Sequence, residues 1–143
     1  MRVSLLLLYE GGIDMANDTK NFKVSEFACK CCGENHIDQR IIDMAQTIRD
    51  ALGVPVRVNS GHRCEVHNVR VGGVPKKTDP KTGKKIEGSG SKHLYGLAAD
   101  LSCSLGAVKM FEAVKKLHAK GKLPDLSYCI RYKTFILKAH GDP

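Results

Sequence analysis

Two side chains of the kind that zinc enzymes use as ligands stand close together in the second half of the chain, His93 and Asp100. Asp100 lies in the apolar run Ala98-Ala-Asp-Leu101, which reads as a buried strand. Catalytic zinc binds histidine nitrogen and carboxylate oxygen and leaves one position open for water. A carboxylate inside an apolar strand must be paired or bound to metal, because an isolated buried charge is costly. Taken alone, the pair fits either a metal half-site or a solvated loop histidine beside an ion-paired aspartate.

An ordered set of motifs surrounds this pair. Ser60-Gly-His-Arg63, His67-Asn68 and Val71-Gly-Gly73 precede it, and the pair itself belongs to Ser91-x-His-x-x-Gly-x-Ala-Ala-Asp100. The set resembles the D-alanyl-D-alanine carboxypeptidase-like zinc peptidases. That family includes D,D-dipeptidases and phage L-alanyl-D-glutamate endolysins, and it shares a fold with the signalling domain of hedgehog. The resemblance covers roughly residues 22–142, and the ordered set is far more specific than any one of its motifs.

The resemblance implies a Zn²⁺ cofactor, with His93 and Asp100 as its first two ligands. Arg63 matches the family's arginine near the metal, which binds substrate and polarises the scissile carbonyl. A guanidinium suits that task because it stays charged and presents a fork of donors to an oxyanion. The plainer alternative is a surface arginine that caps the following helix. Ser91 is expected to form a hydrogen bond near the site and to assist substrate binding, whereas His67-Asn68 is expected to hold the loop.

The third ligand is the point at which this sequence departs from the family pattern. In the family it is a histidine on the last strand, commonly within Phe-Ile-His-x-Asp, but here Phe135-Ile136 is followed by Leu137. His140 and Asp142 match His-x-Asp three residues later. We favour His140 as the third ligand and Asp142 as the general acid/base. The alternative is that the third ligand is lost and the domain binds cell wall without cleaving it.

Three of the six cysteines cluster before the first predicted helix, at Cys29, Cys31 and Cys32. A structural zinc site needs four ligands, and only these three cysteines cluster here, with His36 as a possible fourth. The spacing does not match the paired knuckles of zinc ribbons and fingers. Small buried thiols are therefore favoured over a second metal site or a disulfide. Cys64 and Cys103 each follow a site motif closely, but the sequence offers no geometry that supports a bridge between them.

Two helices and four strands are predicted to position these residues. Asp38 is a helix N-cap, and Gly53 ends that helix after Leu52. Its apolar face at helical spacing consists of Ile41, Met44, Ala45, Ile48 and Leu52. A second helix, ending near Gly121, carries the stripe Ala107, Val108, Met110, Phe111, Val114 and Leu117. Strands are predicted at 54–59, 97–102, 127–132 and 134–139, with a loop and a short helix in 60–73. Two main helices against a small, mostly antiparallel sheet make an α+β domain.

The length of 143 residues fits one domain. We expect residues 1–21 to be a weakly ordered lead-in and residues 22–143 to form the peptidase domain, with an exposed insertion loop at 74–90. The lead-in resembles a weak export signal, but its leucine run is too short for the apolar core of one. Met15 is an alternative start, and the sequence leaves the cellular location open.

Composition narrows the choice of partner. No stretch approaches the roughly 20 apolar residues that span a bilayer, so no membrane span is expected. A formal net charge of +8 suits an anionic polymer, including nucleic acid. Only the charge points to nucleic acid, however, and a chain without Trp offers no evident stacking platform for bases. A nucleic-acid partner is therefore not expected. The expected activity is that of a monomeric metallopeptidase at the bacterial cell wall, acting on the peptidoglycan stem peptide. Both D-Ala-D-Ala carboxypeptidase and L-Ala-D-Glu endopeptidase activity remain open.

Overall fold

The structure confirms the predicted α+β class, because its one sheet is antiparallel and its two long helices pack on one face of that sheet. The computed structural model describes residues 15–131 and 135–139, so the predicted lead-in is described only from Met15 onward. Within that range the helices are α1 (Gln39–Leu52), α2 (Glu65–Arg70) and α3 (Gly106–Ala119). The strands are β1 (Val56–Ser60), β2 (Ala98–Cys103), β3 (Leu126–Arg131) and β4 (Phe135–Ala139). Two 3-10 helices, Val24–Phe27 and Lys92–Tyr95, precede α1 and β2.

Helix α1 begins and ends where its capping residues predict. The Asp38 carboxylate accepts a hydrogen bond from the Arg40 backbone N–H, and Gly53 ends the helix in the left-handed conformation at φ 69°. The buried face consists of Ile41, Ile42, Met44, Ala45 and Ile48. Burial of this apolar face against the sheet is the main source of stability for a helix of this length.

Helix α3 buries less of its predicted stripe than the sequence suggested. Met110 and Val114 are fully buried, and Ala107, Phe111 and Leu117 pack against the core at its margin. Val108 is half exposed and lies outside the buried face, so its place in the predicted stripe is wrong. No helix in residues 15–131 and 135–139 is long and apolar enough to cross a membrane.

The four strands form one antiparallel sheet in the order β1-β2-β4-β3. Strand β2 is therefore central, and it pairs Asp100 with Ser60 of β1 on one side and with Ile136 of β4 on the other. The next pair, Ala99 with Leu137, points to the opposite face because side chains alternate along a strand. Helices α1 and α3 pack on the face of Ala99 and Leu137. Asp100 consequently lies on the other face, away from the two helices.

Two segments outside the regular elements frame the domain. Residues 15–21 run beside α1, where the Thr19 hydroxyl and the Asn21 backbone N–H both donate to Gln46 Oε1 at 2.8 Å. The loop 74–90, predicted as an exposed insertion, carries an isolated bridge between Thr78 and Lys85 and is largely exposed.

Candidate active site

A short 3-10 helix presents His93 to the sheet. The Ser91 hydroxyl caps this helix by accepting from the His93 backbone N–H, and Gly96 ends it at φ 71°. A side chain at Gly96 would collide with the backbone carbonyl of His36, which its Cβ would approach to 1.9 Å. Glycine is therefore required at this position both for the turn and for the close approach of the segment before α1.

His93 and Asp100 face each other through the ring Nε2 and one carboxylate oxygen. His93 is 3% exposed, and its Nδ1 lies 2.8 Å from the carbonyl oxygen of Gly61. That acceptor assigns the ring proton to Nδ1 and leaves Nε2 with a free lone pair. Nε2 lies 3.2 Å from Asp100 Oδ1, yet Oδ1 is buried without a hydrogen-bond partner in the described part of the chain.

This arrangement fits a metal ion. Ligand atoms held about 2.0–2.1 Å from a tetrahedral zinc lie roughly 3.3 Å from each other, and the His93–Asp100 separation is 3.2 Å. The Gly61 carbonyl behind His93 supplies the outer hydrogen bond that usually orients a metal-bound imidazole. A cation between the two side chains would satisfy the orphaned Oδ1 of Asp100, since a buried carboxylate oxygen otherwise needs a donor.

Arg63 closes the other side of the same carboxylate. Its Nη2 donates to Asp100 Oδ2 at 3.0 Å and its Nε donates to Ser60 Oγ at 3.0 Å. Its backbone N–H also donates to the carbonyl of His93 at 2.9 Å. The structure therefore brings together three predicted site residues, Arg63, His93 and Asp100. Ser91 lies beside them as the cap of the 3-10 helix.

Asn68 holds the Arg63 side chain through a hydrogen bond. It is fully buried on α2, and its Oδ1 accepts from Arg63 Nη1 at 3.4 Å while its Nδ2 donates to the carbonyl of Val74 at 3.0 Å. Gly73 packs so closely on this amide that a Cβ there would lie 2.1 Å from Oδ1. The pattern Asn68…Gly72-Gly73 thus shapes the loop that carries Arg63.

A second polar cluster beside this site was not foreseen. His62 is 3% exposed, neither of its ring nitrogens has a hydrogen-bond partner among the described residues, and its ring stands edge-on to His36 with centroids 4.9 Å apart. Burial and the neighbouring His36 lower the pKa of His62. Glu34 Oε2 accepts a hydrogen bond from His36 Nε2 at 3.0 Å, and that hydrogen bond lowers the pKa of the Glu34 carboxyl. Only the fold brings residues 34–36 over residue 62, so no spacing in the sequence signals the cluster.

The cysteines also meet in a way that the sequence did not suggest. Cys64 lies beside Cys29 and Cys32, whereas Cys103 is at the end of β2, paired with Val56. Cys103 therefore does not belong to the group of sulfurs around Cys64.

Leu137, which stands where the family pattern has a histidine, is fully buried in the core and faces away from Asp100. The residues of β4 on the Asp100 face are Ile136, directly opposite it, and Lys138. The end of β4 is anchored beside His93, because the Ala139 N–H donates to Leu97 O at 3.1 Å and Lys92 Nζ donates to Ala139 O. His140 and Asp142 lie outside the described residues.

A family model described as Peptidase M15 matches residues 20–136. The matched segment contains both 3-10 helices, all three α-helices and the residues Arg63, His93 and Asp100. No curated protein and no solved structure gives a significant match to the chain.

Proposed function

Because the chain belongs to the peptidase M15 family, we propose that it is a zinc metallopeptidase that hydrolyses a peptide bond in the peptidoglycan stem peptide. The observation that carries the proposal is the pairing of His93 Nε2 with the orphaned Asp100 Oδ1 at 3.2 Å. A zinc ion bound there supplies Lewis-acid activation of water and of the scissile carbonyl.

His140 is the proposed third ligand. Ile136 and Lys138 share the face of Asp100, so the alternation of the strand, carried one step further, would bring residue 140 to that face as well. The anchoring of Ala139 to Leu97 and Lys92 supports this, since it holds the last described residue of β4 beside the helix that carries His93. The burial of Leu137 has its own reason in the core and does not argue for a lost site.

Asp142 is the proposed general acid/base. In the His-x-Asp pattern the carboxylate follows the third ligand by two residues. From there it would accept a proton from the attacking water and pass it to the leaving amine. Its role depends on His140, so a test of His140 bears on both residues.

Arg63 is the proposed residue that binds the substrate and stabilises negative charge on its scissile carbonyl. Its side chain is 12% exposed, and all three of its guanidinium nitrogens have protein partners. A guanidinium fixed in this way is preorganised to stabilise negative charge that develops on the substrate oxygen. Ser91 is the proposed second substrate contact, because it adjoins His93 in sequence and lies at the start of the same 3-10 helix.

The finer activity is either removal of the terminal D-alanine or cleavage between L-alanine and D-glutamate. We propose that the protein acts as a monomer. Its formal net charge of +8 would favour association with the anionic cell wall. Digestion of purified peptidoglycan, followed by mass spectrometry of the products, identifies the bond, because the two activities release different fragments.

Zinc content tests the site directly. We expect His93→Ala and His140→Ala each to lose about one zinc per chain, together with all peptidoglycan cleavage. His118→Ala, which removes an exposed histidine of α3, is the matched control and should keep both. Unchanged zinc in His93→Ala, or no cleavage by the zinc-loaded parent chain, would reject the proposed function.

A further inference from the structure

Three cysteine sulfurs converge on the side of the domain next to Arg63. The Sγ atoms of Cys29, Cys32 and Cys64 lie within 4.8 Å of one another. Cys29 and Cys32 belong to the segment before α1, and Cys64 is the N-cap residue of α2. All are free thiols in the structure, although they are separated by up to 35 positions in the chain.

The segment Cys29-Lys-Cys-Cys-Gly33 folds as a tight hydrogen-bonded turn. Gly33 adopts φ 79°, its N–H donates to the Cys29 carbonyl at 2.9 Å, and the Cys29 N–H donates to the Glu34 carbonyl at 2.8 Å. The backbone N–H groups of Cys31, Cys32 and Cys64 are directed at Cys29 Sγ. Donors of this kind stabilise a thiolate, which is the form that binds metal.

His67 offers a fourth donor one helical turn after Cys64. Its backbone N–H donates to Cys64 Sγ at 3.4 Å, and its ring Nδ1 is buried without a hydrogen-bond partner in the described part of the chain. The sequence thus contains two pairs of residues with metal-binding side chains, each separated by two residues: Cys29-x-x-Cys32 and Cys64-x-x-His67. Three thiolates and one imidazole are a standard ligand set for structural zinc.

We propose that Cys29, Cys32, Cys64 and His67 form a structural zinc site, separate from the site at His93 and Asp100. Zinc–sulfur bonds of about 2.3 Å place tetrahedral sulfurs roughly 3.8 Å apart. To complete the site, the three thiols would move slightly inward, and the His67 ring, which lies outside the close set of sulfurs, would turn to bring a nitrogen toward them. Four protein ligands leave no open position, so this ion is structural and does not activate water.

Such an ion would fix the position of Arg63. Cys64 follows Arg63 directly, and the zinc would fasten it to the segment 29–33, whose neighbour Phe27 accepts the His62 N–H at 2.8 Å. The loop 60–64 would then be held at both ends, by β1 and by the metal. The inference goes beyond the proposed function, because the cysteine site can exist whether or not the domain cleaves peptidoglycan.

Zinc counting in a background without the other site provides the test. The full chain carrying His93→Ala and Asp100→Ala is purified under reducing conditions without chelator. We expect it to retain about one zinc per chain, which is lost on adding Cys64→Ser and reduced in affinity on adding His67→Ala. Cys31→Ser is the matched control, because Cys31 is exposed in the same segment but outside the close set, and it should leave zinc content unchanged.

A cobalt spectrum decides the case even if a cysteine variant fails to fold. Co²⁺ exchanged into the parent chain should show intense sulfur-to-cobalt charge-transfer absorption, which ligands such as His93 and Asp100 cannot produce. Absence of that absorption, or a background chain without zinc, would overturn the proposal. So would an intact mass showing a disulfide among these cysteines in the protein as purified from the cell.

Discussion

Arg63 and Asp100 are joined by a hydrogen bond of 3.0 Å from Nη2 to Oδ2, so a single carboxylate serves two neighbours. Its other oxygen faces His93 Nε2 at 3.2 Å. The arginine thereby fixes the rotation of the carboxylate that would bind the metal, as outer hydrogen bonds do at many metal sites. If Arg63 binds substrate and Asp100 binds the metal as proposed, the two roles are coupled through this one hydrogen bond.

Replacement of Arg63 by lysine tests this coupling. Lysine keeps the charge but cannot donate to Asp100, Ser60 and Asn68 at once, so kcat/KM on peptidoglycan fragments should fall by about 10²–10³-fold. Zinc affinity should also fall, by about 10–100-fold, because Asp100 loses the hydrogen bond that orients its carboxylate. Arg57→Lys, at an exposed position of β1, is the control and should retain full activity. Equal activity of the two variants would contradict the assigned role of Arg63.

The turn that carries His93 should tolerate no side chain at Gly96. Gly96→Ala combines a left-handed residue, which costs about 1–2 kcal/mol, with a collision against the His36 carbonyl. Gly53→Ala has nearly the same φ but nothing within 4 Å of its Cβ, so it isolates the backbone term. Urea unfolding should show a clearly larger loss of stability for Gly96→Ala. If the two losses were equal, the close approach would have no energetic weight.

Leu137→His should not create a metal ligand. Leu137 is fully buried on the core face, so a histidine there would be expected to lower the free energy of unfolding by about 2–5 kcal/mol. Zinc affinity should not rise. Leu137→Met conserves volume and should cost less than about 1.5 kcal/mol. An increase in zinc affinity in the histidine variant would show that this position can reach the site.

Acid should remove part of the stability that α1 gains from its cap. The side-chain hydrogen bond from Arg40 holds the pKa of Asp38 below its usual range. A carboxyl with a lowered folded pKa stabilises the fold above its unfolded pKa of about 3.9, and this contribution is lost as the pH falls through the folded value. Asp38→Asn keeps a capping oxygen but removes the ion pair. Its deficit in stability against the parent chain should therefore be present at neutral pH and shrink below about pH 4.

Urea unfolding over that pH range provides the measurement. Asp43→Asn is the control on the same helix, because Asp43 accepts a hydrogen bond from the neutral Gln39 side chain at 2.9 Å. A deficit of Asp38→Asn that stayed constant with pH would exclude the ionised cap as its source.

The local signals in the sequence were sufficient for α1, whereas the meeting of Arg63, His93 and Asp100 was expected only from the family resemblance. Asp38 and Gly53 are strong caps, and the order of motifs around His93 is specific. The orientation of β4 was not predictable in the same way. Leu137 could face either side until its pairing with Ala99 was known, and a shift of one residue reverses every side chain of a strand.

The cysteine cluster shows the same limit from another direction. Cys29 and Cys64 meet only because the segment before α1 packs over the loop after β1, where Gly61 leaves no room for a side chain beside the backbone of Phe27. A contact between residues 35 positions apart leaves no periodicity to detect. The sequence therefore could not show that Cys64 joins Cys29 and Cys32.

The strand order has a consequence for biosynthesis. Strand β4 follows β3 in the chain but lies between β2 and β3 in the sheet. While a ribosome is still making residues 135–139, β2 has an open edge beside Asp100, and β3 has no neighbour to pair with. The pairing of β4 with β2, which joins segments far apart in the chain, is therefore expected to form after the pairing of β4 with its neighbour β3, because pairings distant in sequence tend to form slowly. Asp100, which the zinc would need as a ligand, therefore has no strand partner on the β4 side until residues more than thirty positions later in the chain have been synthesised.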